Sequence, residues 1–166
     1  MNIDLLNKLQ PEEAKNHFYH CLSCNDWVDG MLALMPFQSD ENLSAAAQRL
    51  FAELNEQHLF EAFDGHPKIG DVNSLKKKYA ATQTMAGHEQ SGVNVASDQV
   101  LLDLASENAR YEKRFGFIFI VCATGKSAAE MLELLQIRLP NSRAKELVNS
   151  AAEQLKITLL RLEKIL

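Results

Sequence analysis

The sequence predicts an all-α protein, a single compact multi-helix domain, and three observations predict it. Apolar residues recur with the i, i+3, i+4, i+7 spacing of a helix that buries one face through most of the chain. Helix-start residues stand repeatedly just ahead of those runs. A single β-branched and aromatic run is present, and one strand has nothing to pair with. At 166 residues and 46% apolar, the chain is long enough for one proper core and too short for two ordinary ones. With no internal repeat, low-complexity stretch or linker, the expectation is one domain over 1–166.

Taken in order, Pro11 followed by Glu12 and Glu13 suits a helix start, and Ala14, Phe18, Cys21 and Leu22 then share a stripe. Val28, Met31, Leu32 and Met35 repeat the pattern until Pro36 stops it. Ser39 with Asp40 and Glu41 reads as the next cap and first turn, leading into Leu43, Ala46, Ala47, Leu50 and Leu54. A short helix around Leu59 to Phe63 follows. Asn73 or Ser74 is placed to cap a helix through Leu75 and Tyr79, and Ser97 with Asp98 to cap one carrying Leu101, Leu102, Ala105 and Asn108 towards Tyr111. Ser127 and Glu130 have capping-box spacing, ahead of Ala128, Met131, Leu132, Leu135 and Leu139. Asn141 is expected to start the last and longest helix, with the stripe Ala144, Leu147, Ala151, Leu155, Thr158, Leu159 and Leu162. The exception is Phe115 to Ala123, which alone would be read as a buried strand and is expected here as a buried helix or an extended connector.

A formal charge of -5 and a pI near 5.5 argue against a general nucleic-acid or anionic-membrane surface. No apolar run approaches the roughly 18 residues of a membrane span. The first residues lack a basic and then apolar leader, and the last lack a peroxisomal or retention tripeptide, so a cytoplasmic protein is expected. Three cysteines, an odd number, suit a reducing compartment better than a disulfide framework.

The segments that suggest chemistry are Gly65-His66-Pro67-Lys68-Ile69-Gly70-Asp71 and, further on, Gly87-His88-Glu89-Gln90-Ser91-Gly92. Proline fixes its own φ and pushes the residue before it out of the α region, so His66 is expected on an extended or turn backbone with its ring held in one direction. An imidazole and a carboxylate can share proton transfer near neutral pH. A lone histidine is more often structural. The turn around His66 and the glycines that let backbone approach a ligand beside Glu89 shift that balance.

Other motifs have plainer readings. His17, His20, Cys21 and Cys24 are four potential zinc ligands within eight residues, but Cys21 lies on an apolar stripe and no second ligand cluster exists, so no metal site is expected. Gly125-Lys126-Ser127 resembles the end of a phosphate loop, yet Ile120 occupies the place of its first glycine; a helix start is expected, whose amides could still hold an anion. Lys76, Lys77 and Lys78 in an acidic domain read as a solvated face. Arg161 lies beside the apolar stripe of the last helix, where a cleft-facing guanidinium and a snorkelling one are both open.

His66-Pro67-Lys68-Ile69-Gly70-Asp71, Glu89-Gln90-Ser91-Gly92-Val93, Asn108 with Tyr111, Arg114 to Phe117 running into Phe119 to Ala123, Phe18, Trp27, Pro36-Phe37 and the closing Ile157, Arg161 and Leu162 closely resemble the 2-oxo-4-hydroxy-4-carboxy-5-ureidoimidazoline (OHCU) decarboxylase family, bacterial type. The resemblance covers nearly the whole chain. It implies an all-helical, cofactor-free, usually homodimeric enzyme that decarboxylates the small molecule OHCU to (S)-allantoin in urate degradation. It implies His66 as catalytic acid and Glu89 as its partner. Pro67, Ala86, Gly87, His88, Gln90 and the backbone at Phe119, Ile120, Val121, Cys122 and Ala123 would contact substrate, and Arg161 would hold its anionic or carbonyl end. Two departures stand out. Relatives often carry Trp-Ser where this chain has Met85-Ala86, which removes a hydroxyl contact, and a glutamate-containing segment where it has Cys21 to Asn25. The alternative is a non-enzymatic helical binding or scaffold protein that kept the fold.

Overall fold

The computed structural model describes residues 1–67, 72–85 and 98–166. These form nine helices and no strand: α1 (Ile3–Leu6), α2 (Pro11–Cys21), α3 (Asn25–Ala33), α4 (Asp40–Ala52), α5 (Glu56–Asp64), α6 (Val72–Met85), α7 (Asp98–Phe115), α8 (Ala128–Arg138) and α9 (Arg143–Ile165). All-α architecture is thus as expected among the described residues. They divide into two compact units, the first made of Met1–His66, Ile120–Cys122 and Leu147–Leu166, the second of Pro67–Phe119 and Ala123–Glu146.

In the first unit the expected stripe of α2 is the buried one: Ala14, Phe18, Cys21 and then Leu22 are all inside. Phe18 meets Trp27 and Phe37 edge-on at 6.3 and 6.2 Å, a geometry that suits the ring quadrupoles. The one polar atom of Trp27 is satisfied, since Nε1 donates to the Ala47 carbonyl at 3.1 Å. Asn7 brackets the backbone of Phe37, donating to its carbonyl at 2.8 Å and accepting from its N–H at 2.9 Å. Ser39 caps α4 by accepting from the Asn42 N–H, as predicted. Leu54 lies past the end of α4 and Phe51 is buried on its inner face instead, because the helix closes at Ala52. The short α1 was not evident from the pattern, having a single buried residue, Leu6.

The second unit is organised by α7 and α8, with α6 packed on α7. The Ser127–Glu130 capping box forms as read. Neither Asn73 nor Ser74 caps α6, which already includes Val72. The inner face of α7 is Leu101, Leu104, Tyr111 and Phe115, so Leu102 is outside at 49% exposure. From Gly116 the chain is neither helix nor strand until α8, which selects the extended connector over the buried helix. Its left-handed start at Gly116, φ 82°, is a conformation that glycine adopts without a Cβ clash. Tyr111 gathers Phe115, Phe117 and Phe119 at 4.5, 6.1 and 5.2 Å. Arg138 lies 4.7 Å above the Phe119 ring and pairs with the fully buried Glu146 at 2.8 Å, while Tyr111 donates to the same carboxylate and Asn141 Nδ2 to its other oxygen at 2.8 Å.

The last helix departs furthest from expectation. It begins at Arg143, with Ser142 rather than Asn141 ahead of it and Ser142 Oγ accepting from the Lys145 N–H. Its buried residues are Glu146, Ser150, Gln154, Thr158 and Leu162, an i, i+4 ladder that is polar in four positions of five. Ala144, placed on the inner stripe by apolar spacing, is exposed.

Candidate active site

His66 stands where α5 ends. Gly65 is the C-cap, the His66 N–H donates to the Phe63 carbonyl at 3.1 Å, and the chain then bends into Pro67. This is the non-helical setting that the following proline demands. Gly65 is required for a spatial reason: a Cβ there would come within 3.0 Å of both Cβ and Oγ of Ser23, in the connection between α2 and α3. The histidine is therefore anchored by a close approach between two loops of the first unit.

The ring is half-buried, and its Nε2 lies 2.6 Å from Gln154 Oε1 on α9. Burial pushes the imidazole pKa below its ordinary 6.5; the hydrogen bond to Gln154 pulls it up, and the Arg161 guanidinium adds a further downward push. Arg161, one turn past Thr158, is half-buried. Its Nη1 donates to the carbonyls of His20 and Cys21 at 3.2 and 3.3 Å, so it caps the C-terminal end of α2, where carbonyls lack helical partners. Its remaining nitrogens have no hydrogen-bond partner among the described residues.

Of the residues singled out by sequence, His66, Ile120, Val121, Cys122 and Arg161 belong to the first unit, and Pro67, Phe119 and Ala123 to the second. Glu89, Gln90, Ala86, Gly87 and His88 lie outside the described residues. Ile120 is buried and Val121 and Cys122 are half-buried on irregular backbone. The Cys122 N–H donates to Glu153 Oε2 at 2.8 Å, so this amide already has an internal acceptor. Sequence reasoning missed Gln154 and Glu153, the α9 side chains that meet His66 and Cys122. The signal for Gln154 was the polar i, i+4 ladder, which apolar periodicity passes over; Glu153 lies off that ladder.

Cys21 and Cys24 are buried, His20 is exposed with Nδ1 2.6 Å from the Asn16 carbonyl, and among the described residues no three metal-binding side chains converge. In the Gly125-Lys126-Ser127 loop, the Ser127 N–H donates to Glu130 Oε2 at 2.7 Å and the Lys126 N–H to the Ala123 carbonyl at 3.0 Å. The capping carboxylate holds the place of an anion.

A family model described as OHCU decarboxylase matches residues 7–163. The chain belongs to the OHCU decarboxylase family. It is 34% identical over 154 residues to the Arabidopsis thaliana uric acid degradation bifunctional protein TTL, covering 93% of this chain and 48% of that protein. This chain thus spans about half the length of that bifunctional relative. It is 33% identical over 129 residues to the Xenopus laevis 2-oxo-4-hydroxy-4-carboxy-5-ureidoimidazoline decarboxylase, covering 70% and 74% of the two chains. Among solved structures, it is similar to an OHCU decarboxylase crystallised in the presence of (S)-allantoin, with TM-score 0.71, 30% identity and coverage of 95% and 98%.

Proposed function

We propose that this protein decarboxylates OHCU to (S)-allantoin in urate degradation, as one cytoplasmic, homodimeric decarboxylase domain that includes both compact units. The observation that carries the reading is the half-buried His66 imidazole, oriented by Gln154 with the Arg161 charge nearby, in a chain matched to the family over residues 7–163. In the reaction the bond to the carboxyl carbon breaks, CO2 leaves, and the electron pair is delocalised from the ring carbon towards a carbonyl. A proton delivered to one face of that carbon completes allantoin and sets its hand. His66 in its imidazolium form would supply the proton and recover one from solvent. The negative charge of bound substrate opposes the downward push of burial and Arg161, so binding itself favours the protonated ring.

Glu89 would orient the substrate and raise the energy of its carboxylate by charge proximity, and Gln90 with backbone groups of 119–123 would bind the ureido and ring amides. Arg161, with Nη1 held by α2, would offer its other nitrogens to the anionic or carbonyl end. The substrate's own carbonyl supplies the electron sink, so the reading requires no cofactor.

The test is a coupled assay in which OHCU is generated from urate in situ and the circular dichroism of the product is followed. Build-up of one allantoin enantiomer well above the slow racemic background is expected, with a loss of about 10²- to 10⁴-fold in a folded His66→Ala variant. No acceleration by folded protein would move the function to a binding module that kept the fold.

A further inference from the structure

The polar ladder of α9 contains a short relay that ends on His66. Thr158 Oγ1 donates its only proton to the Gln154 carbonyl at 2.9 Å, as a helical threonine bonding back one turn. Its lone pairs then face Gln154 Nε2, 3.5 Å away, a long contact that can only have the amide nitrogen as donor. With Nε2 directed at Thr158, Oε1 is the atom turned to His66. A carbonyl oxygen only accepts, so the imidazole must carry a proton on Nε2. Gln154 and Thr158 are both fully buried, whereas His66 is half-buried, so the order of the relay is set from the inside outwards. Among the described residues Nδ1 has no hydrogen-bond partner.

We infer that Gln154, oriented by Thr158, is a positioning residue that holds His66 in the Nε2–H tautomer and makes Nδ1 the nitrogen that exchanges a proton with the substrate. A neutral imidazole has one protonated and one bare nitrogen, and which is which follows from the partner of the other. Pinned in this way, neutral His66 presents a lone pair at Nδ1, and its imidazolium presents an Nδ1–H to be given up on carbon. After transfer the ring is left in the tautomer that Gln154 accommodates, so no ring rotation is needed between turnovers. The catalytic part of the inference rests on the decarboxylase reading; the tautomer part does not.

The experiment joins ¹⁵N NMR of the His66 ring in the ligand-free protein, at a pH where it is neutral, with steady-state kinetics of Gln154→Met, Thr158→Val and Thr158→Ser. The wild-type ring is expected to show a protonated Nε2 and a bare Nδ1, and both Gln154→Met and Thr158→Val to mix the tautomers. Gln154→Met should lose about ten- to a hundredfold in kcat with KM little changed, the scale on which an orienting partner acts on a functional histidine. Thr158→Val should lose less, and Thr158→Ser, which keeps the hydroxyl, should recover the wild-type spectrum and rate. A wild-type ring protonated on Nδ1 overturns the inference whatever the variants do, as does a folded Gln154→Met enzyme with wild-type kcat. A wild-type ring protonated on Nε2 in a protein inactive on OHCU would leave the tautomer assignment standing and remove the decarboxylase reading instead.

Discussion

Replacing Gly65 by alanine tests whether the packing of two loops sets the position of His66. The added Cβ would fall far inside ordinary van der Waals contact with both Cβ and Oγ of Ser23, so the neighbouring atoms must shift to make room. Rotating the serine hydroxyl relieves only half of the clash, because Cβ is fixed to the backbone. One of the two loops has to move. Overpacking of this kind costs about 1–3 kcal/mol. Alanine at φ -71° is otherwise unstrained and returns about 0.4–1 kcal/mol through the unfolded state, leaving a net loss of about 1–2 kcal/mol. For a chain of this size each kcal/mol is worth about 2–4 °C in Tm.

The effect on catalysis should exceed the effect on stability, because His66 is the next residue and a misplacement near 1 Å can cost about a hundredfold. Urea unfolding and kcat in the coupled assay measure the two separately. Ser23→Gly removes the opposing Cβ, so the double variant should recover most of both losses, with a coupling of about 1 kcal/mol. A Gly65→Ala protein with the wild-type unfolding midpoint and the wild-type kcat would refute the reasoning.

Three further predictions follow from the described contacts. His66 is expected to titrate below 6.5 by NMR; because the folded state binds this proton more weakly than the unfolded chain, its contribution to stability is present above pH 6.5 and is lost as pH falls towards the folded pKa. His66→Gln should flatten that part of the stability profile, and an unchanged acid slope would contradict it. Arg138→Met leaves the buried Glu146 carboxylate without its guanidinium and should destabilise by about 3–5 kcal/mol, with Arg138→Met/Glu146→Leu less affected than the single variant. Burial pushes the Cys21 thiol up to about 11 despite the Arg161 charge, so roughly one in a thousand is thiolate at pH 8. Native-state thiol labelling should therefore spare Cys21 until unfolding, and prompt modification would show the site to be open.

The helices legible in the sequence were those with both a cap and an apolar stripe. Ser39 and Ser127 accept from the amides they were expected to cap, and Ala14, Phe18 and Cys21 turn inward together. These are local properties, settled by hydrogen bonds three residues away and by the angle between successive side chains. The special setting of His66 was legible for the same reason, since a proline restricts its neighbour wherever the chain goes. The inner faces of α7 and α9 were misjudged where one face offered more apolar residues and tertiary packing used another. Leu102 and Ala144 are outside, while Glu146, Ser150 and Gln154 are inside.

By itself, then, the sequence determined the all-helical class, the caps and the bend that presents His66, because each depends on residues close along the chain. The partners of His66 and Arg161 were decided only by tertiary structure. Gln154 is 88 residues from His66, and Arg161 is 141 and 140 residues from the carbonyls of His20 and Cys21. A buried amide is costly unless paired, and periodicity says nothing about which distant group will pair with it. Only the folded chain brings the imidazole and the amide within 2.6 Å of each other.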